Sequence, residues 1–453
     1  MICPYPDADP HSIPDESPRR NLGRSKQFHS VRHQPFNGHH SLRLLHSHVN
    51  GPVSCLNPTR ARFAYDTSGH LITPPVADVE GLSSDDMHKD RKISHLGDIT
   101  FEWRSRNNRK GRSLCIVDIP PSKAENKEPR LVVPPSTASL HNILRNISLM
   151  FTYFPYWDIS YLVGFLFSLG SVIWVMNGFF AWLPLQDPST QLSAESSLLW
   201  LGITAFVGAT VFEVGSVLLV LEAINVNREG VFGWAVEHVF EEREEKYGQV
   251  KVTPQKDERD HHFFASCLPS RPQSTKSSSV RTSYSPTTEL DSPPPQSWQW
   301  FPSLHDLRTH LLHELGFLAA ISQLAGATIF WISGFTALPG INNKLSQGLL
   351  DGIFWTPQIV GGMGFVVSST LYMLETQKNW YTPAPRILGW HIGLWNLIGA
   401  FGFTLCGALG PAFANTGTQY QSALATFWGS WAFLIGSVIQ WYESLGKWVI
   451  EHR

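Results

Sequence analysis

Six long apolar stretches place the strongest constraint on how this chain can fold. They cover about 160–184, 197–224, 314–338, 349–374, 387–411 and 422–445. The hydrocarbon core of a bilayer requires about 20 consecutive, mostly apolar residues in a helix. No stretch has Lys or Arg in its core, and each is too long and too uniformly apolar for a soluble amphipathic helix. The sequence therefore predicts an all-α membrane protein with six transmembrane helices.

The second, fourth and sixth stretches repeat one pattern without gaps. They read GATVFEVGSVLLVLE from Gly208, GGMGFVVSSTLYMLE from Gly361 and GSWAFLIGSVIQWYE from Gly429. The other three stretches also share a pattern, which reads GSVIWVMNG, GATIFWISG and GAFGFTLCG. The six helices are therefore predicted to be three copies of a helical hairpin of about 60 residues.

Both patterns read small–xxx–aromatic–xxx–small, and residues spaced by four and eight lie on one slanting stripe of a helix. In lipid, such a stripe lets helix backbones approach closely. We interpret the glycines of the stripes as helix-packing residues and not as a ligand site. They are Gly170, Gly178, Gly208, Gly215, Gly326, Gly334, Gly361, Gly399, Gly407, Gly429 and Gly436.

The phrases at 212–216, 365–369 and 433–437 read FEVGS, FVVSS and FLIGS. They resemble the YrhK-like family of small membrane domains, which are two-helix units rich in F-x-x-G-S. The resemblance covers the six stretches, a little under half of the chain, and departs at Ser368, where the other copies have Gly. It implies a helical hairpin, and it offers no catalytic motif to transfer.

One acid recurs at the end of each copy of the second pattern. These acids are Glu222, Glu375 and Glu443. A carboxylate near a helix C-terminus interacts unfavourably with the helix dipole, so each should have a compensating partner. We expect ion pairs with basic residues of the nearby loops, and name Arg228, Lys378 and Lys447. The alternative is a ring of three acids at the mouth of a cation path.

Glu213 is a different kind of acid, because the other two copies have Val366 and Leu434 at its position. It lies near the middle of its span, where a charged group is costly and a functional role is the default interpretation. A hydrogen-bonded acid that joins helices is the equally weighted alternative. Gln323 and Asn396 occupy equivalent mid-membrane positions and are the predicted partners of its carboxyl group.

The polar regions divide the chain into five parts. Residues 1–155 are predicted to be a mostly disordered N-terminal region, with two short strands around a basic turn at 97–119. Hairpins at 156–225, 311–376 and 377–453 follow, the first separated from the second by a loop at 226–310 that is disordered around 250–297. Amphipathic segments at 139–151 and 303–315 are predicted to lie on the membrane surface. Four histidines between residues 38 and 50 are interpreted as part of a solvated tail.

The basic residues set the predicted orientation. The loops near 185–196 and 412–421 contain no Lys or Arg, and the loop near 339–348 contains only Lys344. Both termini and the long central loop are therefore expected to be cytoplasmic, in a membrane of unspecified type.

Motifs for catalysis and cofactor binding are missing from the sequence. It has no HEXXH, GxSxG or Walker pattern, its five cysteines are scattered, and its net charge is −2. We therefore expect no enzyme activity, metal, cofactor or nucleic-acid partner. The leading hypothesis is a non-enzymatic protein that organises the membrane or binds protein partners through its cytoplasmic tails. The alternative is a transporter or channel for a proton, cation or small solute that uses Glu213.

Overall fold

The computed structural model describes residues 42–65, 100–112, 115–118, 140–190, 193–226 and 298–445. The disorder predicted around 250–297 lies outside these residues, as does most of the N-terminal tail. The described part contains a small sheet near the N-terminus, six long helices and several short helical segments.

The sheet has four antiparallel strands in the order β1-β2-β3-β4. The strands are β1 (Leu42–Leu44), β2 (Arg60–Tyr65), β3 (Thr100–Arg104) and β4 (Cys115–Asp118). Between β3 and β4 lies a short helix, α1 (Ser105–Arg109). The prediction of two strands around a basic turn at 97–119 is confirmed.

The interpretation of the histidine-rich stretch between residues 38 and 50 as part of a solvated tail is wrong from residue 42 onwards. Residues 42–58 contribute β1 to the sheet and bury Val49 and Pro58. The backbone N–H of Asn57 donates to the carbonyl oxygen of His313, 2.8 Å away, which ties this segment to the second hairpin. The polar composition misled the prediction, because β1 is only three residues long and gives no readable alternation.

The six predicted spans are confirmed as helices long and apolar enough to cross a membrane. They are α3 (Ile159–Gln186), α4 (Ala194–Ile224), α6 (Leu315–Thr336), α7 (Gln347–Thr376), α8 (Leu388–Leu409) and α9 (Thr416–Leu445). Two shorter helices precede hairpins, α2 (Leu140–Thr152) and α5 (Leu304–Thr309). The chain is therefore a multi-pass integral membrane protein.

The six long helices form a closed ring. Each packs against two neighbours, in the order α3, α4, α6, α7, α8, α9 and back to α3. The first helix of each hairpin therefore alternates with the second around the ring. The three hairpins occupy equivalent places around its axis.

A layer of three phenylalanines fills the axis of the ring. Phe212, Phe365 and Phe433 hold the same position in the three copies, and their ring centroids lie 5.7 to 6.5 Å apart. All three side chains are buried. We call this group the phenylalanine layer.

A second aromatic group, the tryptophan layer, comes from the other helix of each hairpin. Trp174, Phe330 and Phe403 each lie four residues after a repeated glycine, and their centroids are 4.9 to 5.6 Å apart. A gap of only about 10 Å³ separates the two layers. Together the layers close the centre of the ring.

The repeated glycines lie where neighbouring helices meet. A methyl group on Gly326 would lie 2.8 Å from the carbonyl oxygen of Gly361, and one on Gly361 would lie 2.7 Å from that of Gly326. Gly399 and Gly429 face each other in the same way in the third hairpin. The other stripe glycines also face a side chain or backbone of an adjacent helix: Gly170, Gly178, Gly208, Gly215, Gly334, Gly407 and Gly436. The glycines thus allow close backbone approach.

α7 begins irregularly, with a π-helical turn over Asp351–Trp355. Pro357 follows this turn and has no N–H to donate to the carbonyl oxygen of Ile353. The hydroxyl of Thr336 on α6 donates to that oxygen instead, at 3.1 Å. The proline is therefore accommodated without leaving the carbonyl oxygen of Ile353 unsatisfied.

α2 confirms the helix predicted at 139–151. It exposes four large apolar side chains, spaced four, three and four residues apart, on one face: Leu140, Leu144, Ile147 and Phe151. The predicted helix at 303–315 is shorter, because α5 ends at Thr309 and a 3-10 turn covers Leu311–His313. The apolar face of α2 is suited to lie against lipid.

Candidate functional site

The three repeated glutamates all meet one short segment of the chain. This segment is the basic turn, residues 105–112, which joins β3 to β4 and covers one end of the helix ring. We call that end the sheet end. Four basic residues of the turn are buried or nearly so: Arg106, Arg109, Lys110 and Arg112.

Glu375, of the second hairpin, forms a two-pronged ion pair with Arg109. Nη1 donates to Oε1 at 2.6 Å and Nη2 donates to Oε2 at 2.8 Å. The hydroxyl of Ser105 also donates to Oε1, at 3.1 Å. A planar guanidinium matched to both carboxylate oxygens is the strongest geometry for such a pair.

Glu443, of the third hairpin, receives two arginines. Arg106 donates from Nη2 to Oε2 at 2.7 Å and from Nε to Oε1 at 3.4 Å. Arg112 donates from Nη1 to Oε1 at 3.2 Å. This carboxylate is therefore the most heavily compensated of the three.

Glu222, of the first hairpin, is held more weakly. The Lys110 ammonium lies 3.4 Å from Oε1, and the Ser160 hydroxyl donates to the same oxygen. The second oxygen, Oε2, is buried and has no hydrogen-bond partner in the described part of the chain. The first hairpin thus holds its acid with a lysine and a serine where the other two use arginine.

Of the predicted partners of the three acids, Lys378 is therefore wrong. Lys378 does not pair with any of them and instead lines a separate pocket beside the sheet. Arg228 and Lys447 lie outside the described residues. The partners come from a distant segment with basic residues at positions 106, 109, 110 and 112. The sequence did contain a signal for this pairing: three acids at matching positions of the repeat and a cluster of basic residues in one short segment.

One position on the first helix of each hairpin explains why the three glutamates have different partners. It lies ten residues before the repeated glycine and is occupied by Ser160, Gly316 and Gly389. A methyl group on Gly316 would collide with the Arg109 guanidinium, and one on Gly389 with that of Arg106. The absence of a side chain makes room for each arginine, whereas Ser160 fills this space in the first hairpin.

Burial and pairing oppose each other in the cations of the turn. Burial acts to lower the pKa of Arg109, but the charge and hydrogen bonds of Glu375 outweigh it and the pKa is raised. The pKa of Arg106 is raised for the same reasons by its own glutamate. For Lys110 burial is the larger effect, and its pKa is lowered despite the nearby Glu222. The lysine is the cation whose burial is least compensated.

Beneath the turn, a cavity of about 30 Å³ lies on the ring axis above the phenylalanine layer. Gln323 and Asn396 line it, so the structure brings these two predicted residues together. The hydroxyl groups of Ser368 and Tyr372 also line it, and neither has a hydrogen-bond partner in the described residues. The space is polar and can hold about two water molecules.

Glu213 does not belong to this cavity. It lies between α4 and α6, where the hydroxyl of Thr328 donates to its Oε1 at 2.8 Å. Gln323 and Asn396, its predicted partners, are on the axis instead. The physical reason is helical periodicity: Glu213 is off the stripe that faces the axis, so its side chain leaves the ring centre.

The site is an electrostatic docking surface, in which three carboxylates hold four cations. Within the described residues, no group of three or more His, Cys, Asp or Glu is arranged to hold a metal ion. Comparison of the chain with protein-family models, curated proteins and solved structures finds no match. The resemblance to the YrhK-like family stays a prediction.

Proposed function

We propose that this protein is a non-enzymatic membrane platform that holds its N-terminal sheet against the cytoplasmic face of the bilayer. The observation that carries the proposal is the use of all three repeated glutamates to bind one segment, the basic turn. The platform presents the sheet and the flanking tails to protein partners.

The chemistry of the site supports docking over catalysis. A catalytic acid or base must reach a substrate, but these carboxylates are buried and committed to cations of the same chain. The axial cavity of about 30 Å³ is also far smaller than the roughly 300–1,000 Å³ of a typical small-molecule site.

Docking can be tested in the full-length protein in lipid nanodiscs. Replacing Arg106, Arg109 and Lys110 together by Gln should release the basic turn, because each of the three buried carboxylates loses its closest cation. Hydrogen exchange should then show lost protection over residues 100–112, with the protection of α3 to α9 mostly retained. Unchanged protection of the turn would refute the docking role.

The partner-binding part of the proposal needs a separate measurement. Proximity labelling from the N-terminus of the intact protein should recover a set of proteins that the triple variant recovers less. Recovery of no protein above background with the wild type would contradict the platform function.

A cation path is the second candidate, because the three repeated acids lie together at the sheet end of the ring. Three amide side chains, Gln323, Asn396 and Gln440, line the axial cavity beneath them. In the docked arrangement two obstacles oppose conduction: four cations face three acids, and two aromatic layers fill the axis. Release of the turn would leave three uncompensated acids at the mouth. Cation flux into proteoliposomes that appears only in the triple variant would favour this function, and its absence in both proteins would exclude it.

A further inference from the structure

A second pocket lies beside the docking site, between the sheet and the loop after α7. Its volume is about 130 Å³. Its polar lining comes from the segment around β1 and β2, from β3 and from that loop: His48, Asn50, Arg60, Arg62, Glu102 and Lys378. The ion pairs described above for the three repeated glutamates use other basic residues, those of the basic turn.

The position of the pocket along the membrane normal follows from α7. This helix ends at Thr376, and Lys378 comes two residues later. Arg60 donates a hydrogen bond to the carbonyl oxygen of Thr376, so β2 lies directly at the helix end. Trp380 and Tyr381 follow with exposed fractions of 70% and 68%. Exposed Trp and Tyr at a span end mark the headgroup level of a bilayer.

The pocket is electropositive. Among the described residues, three cations and one acid, Glu102, line it. Oε1 of that carboxylate lies 2.8 Å from Nε of Arg104, whereas its Oε2 lies 3.8 Å from Nε of Arg62. Burial acts to raise the pKa of Glu102, but Arg104 and the other arginines outweigh it, so the pKa is lowered and the acid stays ionised. Arg104 thereby offsets the charge of Glu102, the one acid among the described lining residues.

These features specify a chemical class of ligand. Arginine recognises phosphate oxygens through paired N–H groups, and lysine adds a point charge. The volume is too small for a drug-sized molecule and suits a single headgroup-sized anion. We propose that this pocket binds a phosphate group at the membrane surface, supplied by an anionic lipid headgroup or by a soluble phosphate ester.

The test uses the intact protein in nanodiscs with and without phosphatidylinositol phosphate, and separately with soluble inositol phosphate. Native mass spectrometry and thermal stability should detect binding. Each of Arg62→Gln and Lys378→Gln should weaken it about fivefold, the effect of about one basic residue at a charged membrane surface. Both residues are only partly buried or exposed, so the variants should fold.

The matched control is Lys344→Gln, which changes an exposed lysine in the loop of the same hairpin between α6 and α7, at the opposite end of the spans. It should leave the affinity unchanged. Binding of lipid alone would assign a headgroup, and binding of the soluble ester alone would assign a free phosphate compound. Absence of binding, or equal weakening by all three variants, would overturn the proposal.

Discussion

The first hairpin and the other two hairpins solve the same electrostatic problem differently. In the second and third hairpins, a glycine leaves room for an arginine that binds the repeated glutamate. In the first hairpin, Ser160 takes that space, and Lys110 lies 3.4 Å from Glu222. The three copies remain alike along the axis, where aromatic rings pack on one another, and differ where they contact a segment that is not repeated.

This difference shows which contacts constrain the residue types in each part of the repeat. The aromatic layers pack against each other and against other repeated positions, so three equal positions favour three similar side chains. The basic turn is a single chain segment and cannot present the same cation to three equivalent acids. The symmetry is therefore broken at the docking site, and the first hairpin should be its weakest point.

The largest expected effect comes from removing one strong partner. Arg109→Met leaves the Glu375 carboxylate buried and unpaired, which should cost about 3–5 kcal/mol of docking free energy. Hydrogen exchange over residues 100–112 in nanodiscs gives this free energy. Lys110→Met should cost clearly less, because that cation is already poorly compensated. Equal losses for the two variants would remove the asymmetry between the hairpins.

A second prediction concerns the space beside each acid. Gly389→Ala places a methyl group where the Arg106 guanidinium lies, so overpacking should weaken docking by about 1–3 kcal/mol. Ser160→Ala introduces alanine at the equivalent position of the first hairpin. It removes the hydrogen bond from the Ser160 hydroxyl to Glu222 and should cost about 1 kcal/mol. Both are compared by the same exchange measurement. A larger loss of docking free energy for Ser160→Ala would contradict the explanation that the glycines leave room for arginine in the second and third hairpins.

The third prediction is a pH dependence confined to the first hairpin. Burial lowers the pKa of docked Lys110, with Arg106 and Arg109 adding to the decrease and Glu222 and Glu443 opposing it. A released lysine binds its proton more tightly, so docking should strengthen as the pH rises from the lowered pKa towards 10.5.

The slope of this dependence cannot exceed about 1.4 kcal/mol per pH unit, the value for one proton. Docking is measured by hydrogen exchange, corrected for the intrinsic pH dependence of exchange. Lys110→Arg should flatten the dependence, because arginine does not titrate in this range. A slope that persists in this variant would assign it to another group.

The sequence predicts the architecture of this protein much better than its site. Six spans and their threefold repetition are readable because apolar length and the Gly, Phe and Glu columns are local signals. The partners of Glu222, Glu375 and Glu443 cannot be read from the sequence in this way. Arg109 and Glu375, for example, meet only after the ring and the sheet have formed. Proximity in sequence favoured Lys378, whereas the fold brings in arginines more than 260 residues away. Helical periodicity correctly predicts that Gln323 and Asn396 share one stripe, but this stripe faces the ring axis, whereas Glu213 contacts Thr328 between α4 and α6.

The smallest expected effect concerns Glu213. Its substitution compares a polar residue away from the ring axis with the docking site at the sheet end. Glu213→Gln keeps an acceptor for the Thr328 hydroxyl at nearly the same place, and a hydrogen bond between membrane helices is worth about 0.6 kcal/mol. Docking of the basic turn and thermal stability should therefore change by less than this amount. Thr328→Val, which removes the donor, serves as the matched comparison. A loss of docking in Glu213→Gln that Thr328→Val does not share would show that this acid communicates with the axis, and would end its interpretation as a local link between α4 and α6.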